Sequence, residues 1–108
     1  MVSLLKDIQG ESTAHAQGEK FVFASVEKNA LTQFAYGVLK KDEQSGSHRH
    51  LTMDEYFYFI KGIGTYEIDD SIVELVPTTF VKIPAGTFHN LINESDEPLE
   101  FVYFGVAL

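Results

Sequence analysis

Apolar residues in this chain alternate with polar ones over short stretches, and turn-forming residues interrupt the stretches at close, even intervals. A period of two is the mark of a strand with one buried face. Residues 21–26 (Phe-Val-Phe-Ala-Ser-Val) and 31–40 (Leu-Thr-Gln-Phe-Ala-Tyr-Gly-Val-Leu-Lys) read as strands. Residues 55–61 and 63–69 flank Gly62 and predict a strand-turn-strand unit. Asp69-Asp70-Ser71 predicts the next turn, and it feeds a strand over 72–76. Pro77 ends that strand, because proline cannot donate to a ladder. Short strands follow at 80–83 and 89–93, the first stopped by the turn Pro84-Ala85-Gly86. The last strand, 99–106, is strongly apolar. Residues 41–47 are polar, contain Gly46, and read as a loop. Residues 1–20 show little periodicity and predict a lead-in arm that adds an edge or swapped strand to a barrel over 21–108. Eight to ten short strands without an ordinary amphipathic helix, repeat or low-complexity tract make the chain all-β: an antiparallel sandwich, jelly roll or barrel.

Composition narrows this further. A length of 108 residues suits one domain with one modest core. Nine Phe, five Tyr and no Trp fit a β-rich interior, since aromatic rings pack well on pleated sheets. The net charge of −8 argues against a nucleic-acid or anionic-membrane partner, both of which need a basic face. The absence of cysteine excludes disulfides, thiolate metal sites and a cysteine nucleophile. The stretch Met1-Val2-Ser3-Leu4-Leu5-Lys6-Asp7 turns polar too early for a signal peptide, and no apolar run is long enough to cross a bilayer, so the default expectation is a cytoplasmic protein.

Two stretches carry the chemistry. One runs His48-Arg49-His50-Leu51-Thr52-Met53-Asp54-Glu55 with Gly62 beyond it; the other runs Pro84-Ala85-Gly86-Thr87-Phe88-His89-Asn90-Leu91-Ile92-Asn93. They offer three imidazoles and one carboxylate, a set that suits a divalent first-row metal. In an extended chain His48 and His50 face one way and Arg49 the other. Glu55 has the wrong parity for that face, so Leu51 to Asp54 must bend for it to point inward. Beyond the bend, Phe57 and Phe59 share the face of Glu55, while Tyr56, Tyr58 and Ile60 share the other. A carboxylate among phenylalanines is costly to bury, and a bound cation offsets that cost.

These residues resemble the two motifs of the cupins. The first motif, G-x5-H-x-H-x3/4-E-x6-G, is met by His48, His50, Glu55 and Gly62; the second, G-x5-P-x-G-x2-H-x3-N, by Pro84, Gly86, His89 and Asn93. The resemblance covers residues 35–105 and has the short intermotif segment of small single-domain members. It implies a double-stranded β-helix, or jelly-roll barrel, holding one divalent transition metal (Zn, Fe, Ni, Mn or Co) through His48, His50, Glu55 and His89. Asp42 and Thr78 stand where the motifs lead with glycine. Asp tolerates positive φ better than Thr, so the turn at Thr78 is expected to differ.

The remaining residues divide by expectation. Asn93 is expected to hold a turn or a hydrogen bond behind a ligand rather than the metal, Asp54 to point away into solvent, and His15, Lys61 and Lys82 to lie on the surface. Phe57, Phe59, Phe88 and Phe101 are expected to fill the barrel, and Tyr36, Tyr66, Tyr103 and Gln33 are candidates for a titratable or polar group near the metal. No catalytic residue beyond the ligands is identifiable. The reading is a metal-dependent enzyme of oxygenase or isomerase/lyase type acting on a small molecule; the alternative is a non-catalytic cupin that binds or senses one. Exposed apolar edges such as 21–23 and 101–104, with the arm, predict a homodimer.

Overall fold

The computed structural model of the protein describes residues 2–13, 17–25 and 28–108. His15, and Val26 at the end of its predicted strand, lie outside the described residues. The strands in chain order are β1 (Glu11–Ser12), β2 (Glu19–Ser25), β3 (Leu31–Leu39), β4 (Glu43–Gln44), β5 (Met53–Lys61), β6 (Gly64–Ile68), β7 (Ser71–Leu75), β8 (Phe80–Ile83), β9 (His89–Asn93) and β10 (Leu99–Ala107). The helical element among them is a single 3-10 turn, Leu5–Asp7. No helix is long and apolar enough to cross a membrane among the described residues.

All pairings are antiparallel and form two sheets. One has six strands in the order β1-β2-β3-β10-β5-β8, the other four in the order β4-β9-β6-β7. The crossover β3-β10-β5 sets the last strand in the middle of the larger sheet, so residues 101–104 are paired on both sides and are not the unprotected edge expected of them, while β1 lies at the sheet's edge. The inner faces enclose Leu39, Phe57, Phe59, Tyr66, Leu91 and Phe101 at the centre of the core. β5 shows the predicted alternation: Glu55, Phe57 and Phe59 are buried, while Tyr58 and Ile60 are exposed. Rings interlock across strands, with Phe57 edge-on to Tyr66 at 5.5 Å and stacked on Tyr103 at 5.2 Å. Such pairs add about 0.5–1.5 kcal/mol each to the burial of their area.

Two turns decide how the strands meet. Gly62 has φ 86°, and a Cβ there would come within 2.3 Å of the Pro98 carbonyl oxygen, so both its conformation and its surroundings demand glycine. At Thr78 the sequence leads to the expectation of an altered turn, and the structure corrects it. Thr78 has φ 75° and Asp42 φ 63°, so both adopt the left-handed backbone region that favours glycine. The reason is tethering: the Thr78 N–H donates to the Phe59 carbonyl at 2.7 Å, and the Phe59 N–H donates to the Thr79 carbonyl at 2.9 Å. The ladder holds a β-branched residue where its side chain disfavours it.

Candidate metal centre

His48 and His50 lie outside regular strands, and backbone hydrogen bonds to the second motif place them. His48 forms an isolated antiparallel bridge with His89: the His48 N–H donates to the His89 carbonyl at 3.1 Å, and the His89 N–H donates to the His48 carbonyl at 2.9 Å. The two rings therefore stand side by side, centroids 4.2 Å apart. The His50 carbonyl accepts the Gly86 N–H at 2.7 Å, which ties the first motif to the turn of the second. The chain then bends at Leu51-Thr52 and enters β5 at Met53, two residues earlier than the sequence suggests. The bend resets the parity, and Glu55 enters the inner face between Gly105 of β10 and Ile83 of β8.

The ring hydrogen bonds fix the tautomers of two imidazoles. His48 Nδ1 is 2.7 Å from the Gly46 carbonyl and His89 Nδ1 is 2.9 Å from the Thr87 carbonyl. A carbonyl only accepts, so each Nδ1 carries the proton, and Nε2 of the neutral ring presents a lone pair. His89 Nε2 faces Glu55 Oε1 at 3.5 Å, and His50 Nε2 faces the same oxygen at 3.3 Å. Glu55 Oε1 and His89 Nε2 are buried and make no hydrogen bond. One donor atom from each of His48, His50, Glu55 and His89 fits within 4.8 Å of the others. Two buried lone-pair acceptors facing each other without a proton between them are costly. A divalent cation accepting from all four removes that cost, and bonds of about 2.0–2.2 Å to imidazole and carboxylate are reached from this spread by a side-chain adjustment of a few tenths of an ångström. The residues present therefore fit a metal ion.

The cluster forms one wall of a cavity of about 210 Å³. Phe57, Leu91, Phe101 and Met53 supply apolar lining, and Gln33, Tyr66 and Tyr103 supply polar groups from the larger and smaller sheets. Of the four polar candidates, Tyr36 is elsewhere: it lies on the outer face of β3, and its hydroxyl donates to Glu100 at 2.6 Å. Burial, and then the negative charge of Glu55, raise the phenols of Tyr66 and Tyr103 well above their ordinary range, so both remain protonated donors.

Two expectations about neighbours need correction. Phe88 does not fill the barrel; it is 47% exposed, because inward His89 forces the preceding residue outward, and the Arg49 guanidinium sits 4.7 Å from its ring centroid. Asp54 points away from the cluster as expected but is half-buried and partnered rather than free in solvent: its Oδ1 accepts the Ala85 N–H at 2.8 Å and its carboxylate meets Lys82 at 3.8 Å, clamping the turn that delivers His89. Asn93 holds a turn as expected. Its amide donates to the Leu39 and Glu97 carbonyls at 2.9 and 2.8 Å and accepts from the Ser95 N–H and hydroxyl. The cavity also has a residue that the sequence reading missed, Lys20, hidden because alternation was not recognised before residue 21.

The Cupin_2 family model, a cupin domain, matches residues 35–105. The chain belongs to the cupin family. The fold of this cupin is shared by a predicted oxalate decarboxylase from Thermotoga maritima, with TM-score 0.87 and 23% identity over 100% of both chains. It is also similar to the Schizosaccharomyces pombe Cnp3 cupin domain, with TM-score 0.83 and 10% identity over 97% of this chain and 72% of that one. KdgF from Halomonas matches with TM-score 0.79 and 14% identity over 97% and 94%. At these identities the likeness concerns the fold. No curated protein sequence matches the chain.

Proposed function

We propose that this cupin holds one divalent transition-metal ion through His48, His50, Glu55 and His89 and acts on a small molecule in the adjoining cavity, as a metal-dependent enzyme of oxygenase or isomerase/lyase type. The observation that carries the reading is the buried, unbonded pair Glu55 Oε1 and His89 Nε2, held 3.5 Å apart. Bound there, a divalent ion would supply Lewis-acid polarisation of a substrate oxygen or, as iron, a site for dioxygen. The protein's own part is to orient: the Gly46 and Thr87 carbonyls fix two imidazoles, and Phe57, Leu91 and Phe101 line the cavity with apolar surface. The fold partner described as a predicted oxalate decarboxylase agrees with a small, oxygen-rich substrate.

The alternative, a cupin that binds or senses a small molecule without turnover, has one observation in its favour. The phenols nearest the cluster, Tyr66 and Tyr103, are pushed away from neutral pH, which leaves them donors rather than proton carriers. Metal analysis of protein purified from its native host is the deciding experiment. A stoichiometric metal lost in His89→Ala is expected. Absence of metal in the unaltered protein would overturn the reading, and metal without turnover on diols, diketones or hydroxy acids would select the binding alternative.

We also propose that the protein pairs with a second copy. The outer face of the larger sheet carries an unbroken aromatic row, Phe23, Phe34, Phe104, Tyr56 and Phe80, with centroids 5.7, 6.0, 4.9 and 6.4 Å apart in turn. Phe34 and Phe80 are exposed, and the row ends on β8, the edge strand of that sheet. A self-complementary apolar face on a chain this small suits a two-fold interface. Light scattering on eluted protein is expected to give twice 12.1 kDa, and a mass of 12.1 kDa at micromolar concentration would refute the pairing.

A further inference from the structure

Lys20 is a lysine on the inside of a barrel. Glu19 and Phe21 take the outer parity of β2, with Phe21 edge-on to Tyr36 at 6.4 Å on the outer face. Lys20 therefore enters the interior opposite Gly37, lines the same cavity as the metal cluster, and keeps only 16% of its side chain exposed. Lysines are rarely this buried without a close partner. The carboxylate it meets, Glu11, stands at 4.0 Å, the limit of an ion pair, and its side chain is 58% exposed at the sheet's edge. Inside the barrel its ammonium donates to Gln33 Oε1 at 3.4 Å, a long contact, and the Tyr103 hydroxyl donates to the same oxygen at 3.4 Å. Two donors share one weakly held acceptor at the edge of an apolar cavity.

We propose that Lys20, with Gln33 and Tyr103, forms an anchor for a carboxylate, and that the cavity takes a small dicarboxylate or an acid bearing a second oxygen function directed at His48, His50, Glu55 and His89. The assignment to two poles rests on the metal reading above. A divalent ion compensated by Glu55 alone leaves one positive charge in the cavity, and Lys20, only partly offset by the exposed Glu11 at 4.0 Å, adds a second positive pole, so a ligand with two anionic oxygen groups suits both. The chain as a whole carries a net charge of −8, so anion binding here depends on these local charges and not on the protein's overall field. The volume of about 210 Å³ suits a molecule of few atoms rather than a nucleotide or a lipid. Gln33 can turn its amide so that oxygen or nitrogen faces the cavity, and Tyr103 is a protonated donor, so the ammonium, amide and phenol can all donate to one carboxylate.

Calorimetric titration of the metal-loaded and metal-stripped protein with oxalate, malonate, succinate and glutarate, and with malonamide and succinamide, tests the anchor. One length of dicarboxylate is expected to bind best, with the neutral diamides at least about tenfold weaker. Lys20→Met keeps the apolar stem; it is expected to weaken the best dicarboxylate by about tenfold or more without changing metal content or the thermal midpoint. Glu11→Gln, which removes the competing carboxylate, is expected to tighten binding; a purely structural Lys20–Glu11 pair would leave it unchanged. Dicarboxylates that fail to bind, or that bind Lys20→Met as tightly as the unaltered protein, overturn the anchor. Metal analysis of the same samples separates the two ideas. Lys20-dependent binding to a protein that holds no metal keeps the anchor and sinks the metal centre; metal retention with Lys20-independent binding does the reverse.

Discussion

The inner face of β9 carries two buried polar residues four positions apart, and they behave in opposite ways. His89 and Asn93 share the inner face of the same strand, at 2% and 0% exposure. Asn93, at the closed end, is saturated: two donated and two accepted hydrogen bonds tie β3, β9 and the 94–98 turn together. His89, at the open end, has its Nδ1 fixed by the Thr87 carbonyl while its Nε2 makes no hydrogen bond and looks at Glu55. Burial and parity alone do not distinguish a structural polar residue from a functional one. The hydrogen-bond inventory does, because a fold has no use for a buried atom it leaves unmatched.

The sharpest way to break this contrast is to truncate each residue. His89→Ala is expected to lower metal affinity by more than about 100-fold, beyond what loss of a ligand's hydrogen-bond partner causes. The same change is expected to leave the urea midpoint of the metal-free protein nearly unaltered. Asn93→Ala is expected to do the opposite, lowering stability by about 3 kcal/mol because the Leu39 and Glu97 carbonyls and the Ser95 N–H lose their partner together, while any correctly folded fraction keeps its metal. Equal destabilisation by the two substitutions in metal-free protein would erase the distinction.

Glu55→Gln tests the repulsion directly. An amide can donate to His89 Nε2 where the carboxylate cannot. The metal-free variant is expected to gain about 1 kcal/mol over the metal-free parent, and to lose the further stabilisation that metal confers on the parent. Parallel thermal melts with and without a chelator measure both effects. A metal-free variant no more stable than the parent would show that Glu55 and His89 do not oppose each other.

Much of this was legible in the sequence, and what was not has identifiable causes. The alternation in Glu55–Lys61 gave the buried face of β5 directly, because period two is imposed by the pleat. The four cluster residues followed from motif spacing, and the need for a bend at Leu51–Asp54 followed from parity. Phe88 was misread because it was grouped by type instead of by its position beside His89. Asp54 was misread because its partner, the Ala85 N–H, is 31 residues away and belongs to a contact that only the fold creates. Lys20 was missed because β2 starts at Glu19, inside a stretch whose periodicity is too short to recognise.

Thr78 offers a smaller test, at the turn opposite the logic of Asn93: a place where satisfied hydrogen bonds hold a residue in strain. Thr78→Gly relieves a β-branched side chain at φ 75° but adds backbone freedom to the unfolded chain, so a net gain of about 0.5 kcal/mol is expected. Asp42→Gly, at φ 63°, is expected to gain less, since aspartate visits this region more easily. Urea midpoints rank the two, and a loss of stability in Thr78→Gly would show that the side chain contributes more than the strain costs.

Tyr36 carries the comparison to the outside of the barrel, where a polar group is matched but partly open to water. Burial, then the hydrogen bond to Glu100 and that carboxylate's charge, push its phenol up from 10.0 to about 12. The folded state thus holds the proton more tightly than the unfolded chain. Its contribution to stability is complete below about pH 10 and is lost as pH rises through about 12. Urea unfolding followed from about pH 8 to about pH 12 is expected to show the unaltered protein losing more stability over that window than Tyr36→Phe, which cannot ionise. The difference between the two curves isolates Tyr36 from the buried phenols of Tyr66 and Tyr103, which both proteins share. Superimposable curves would mean that the Glu100 contact does not persist in solution, and that a matched pair on the outer face contributes nothing comparable to the matched amide of Asn93 within the barrel.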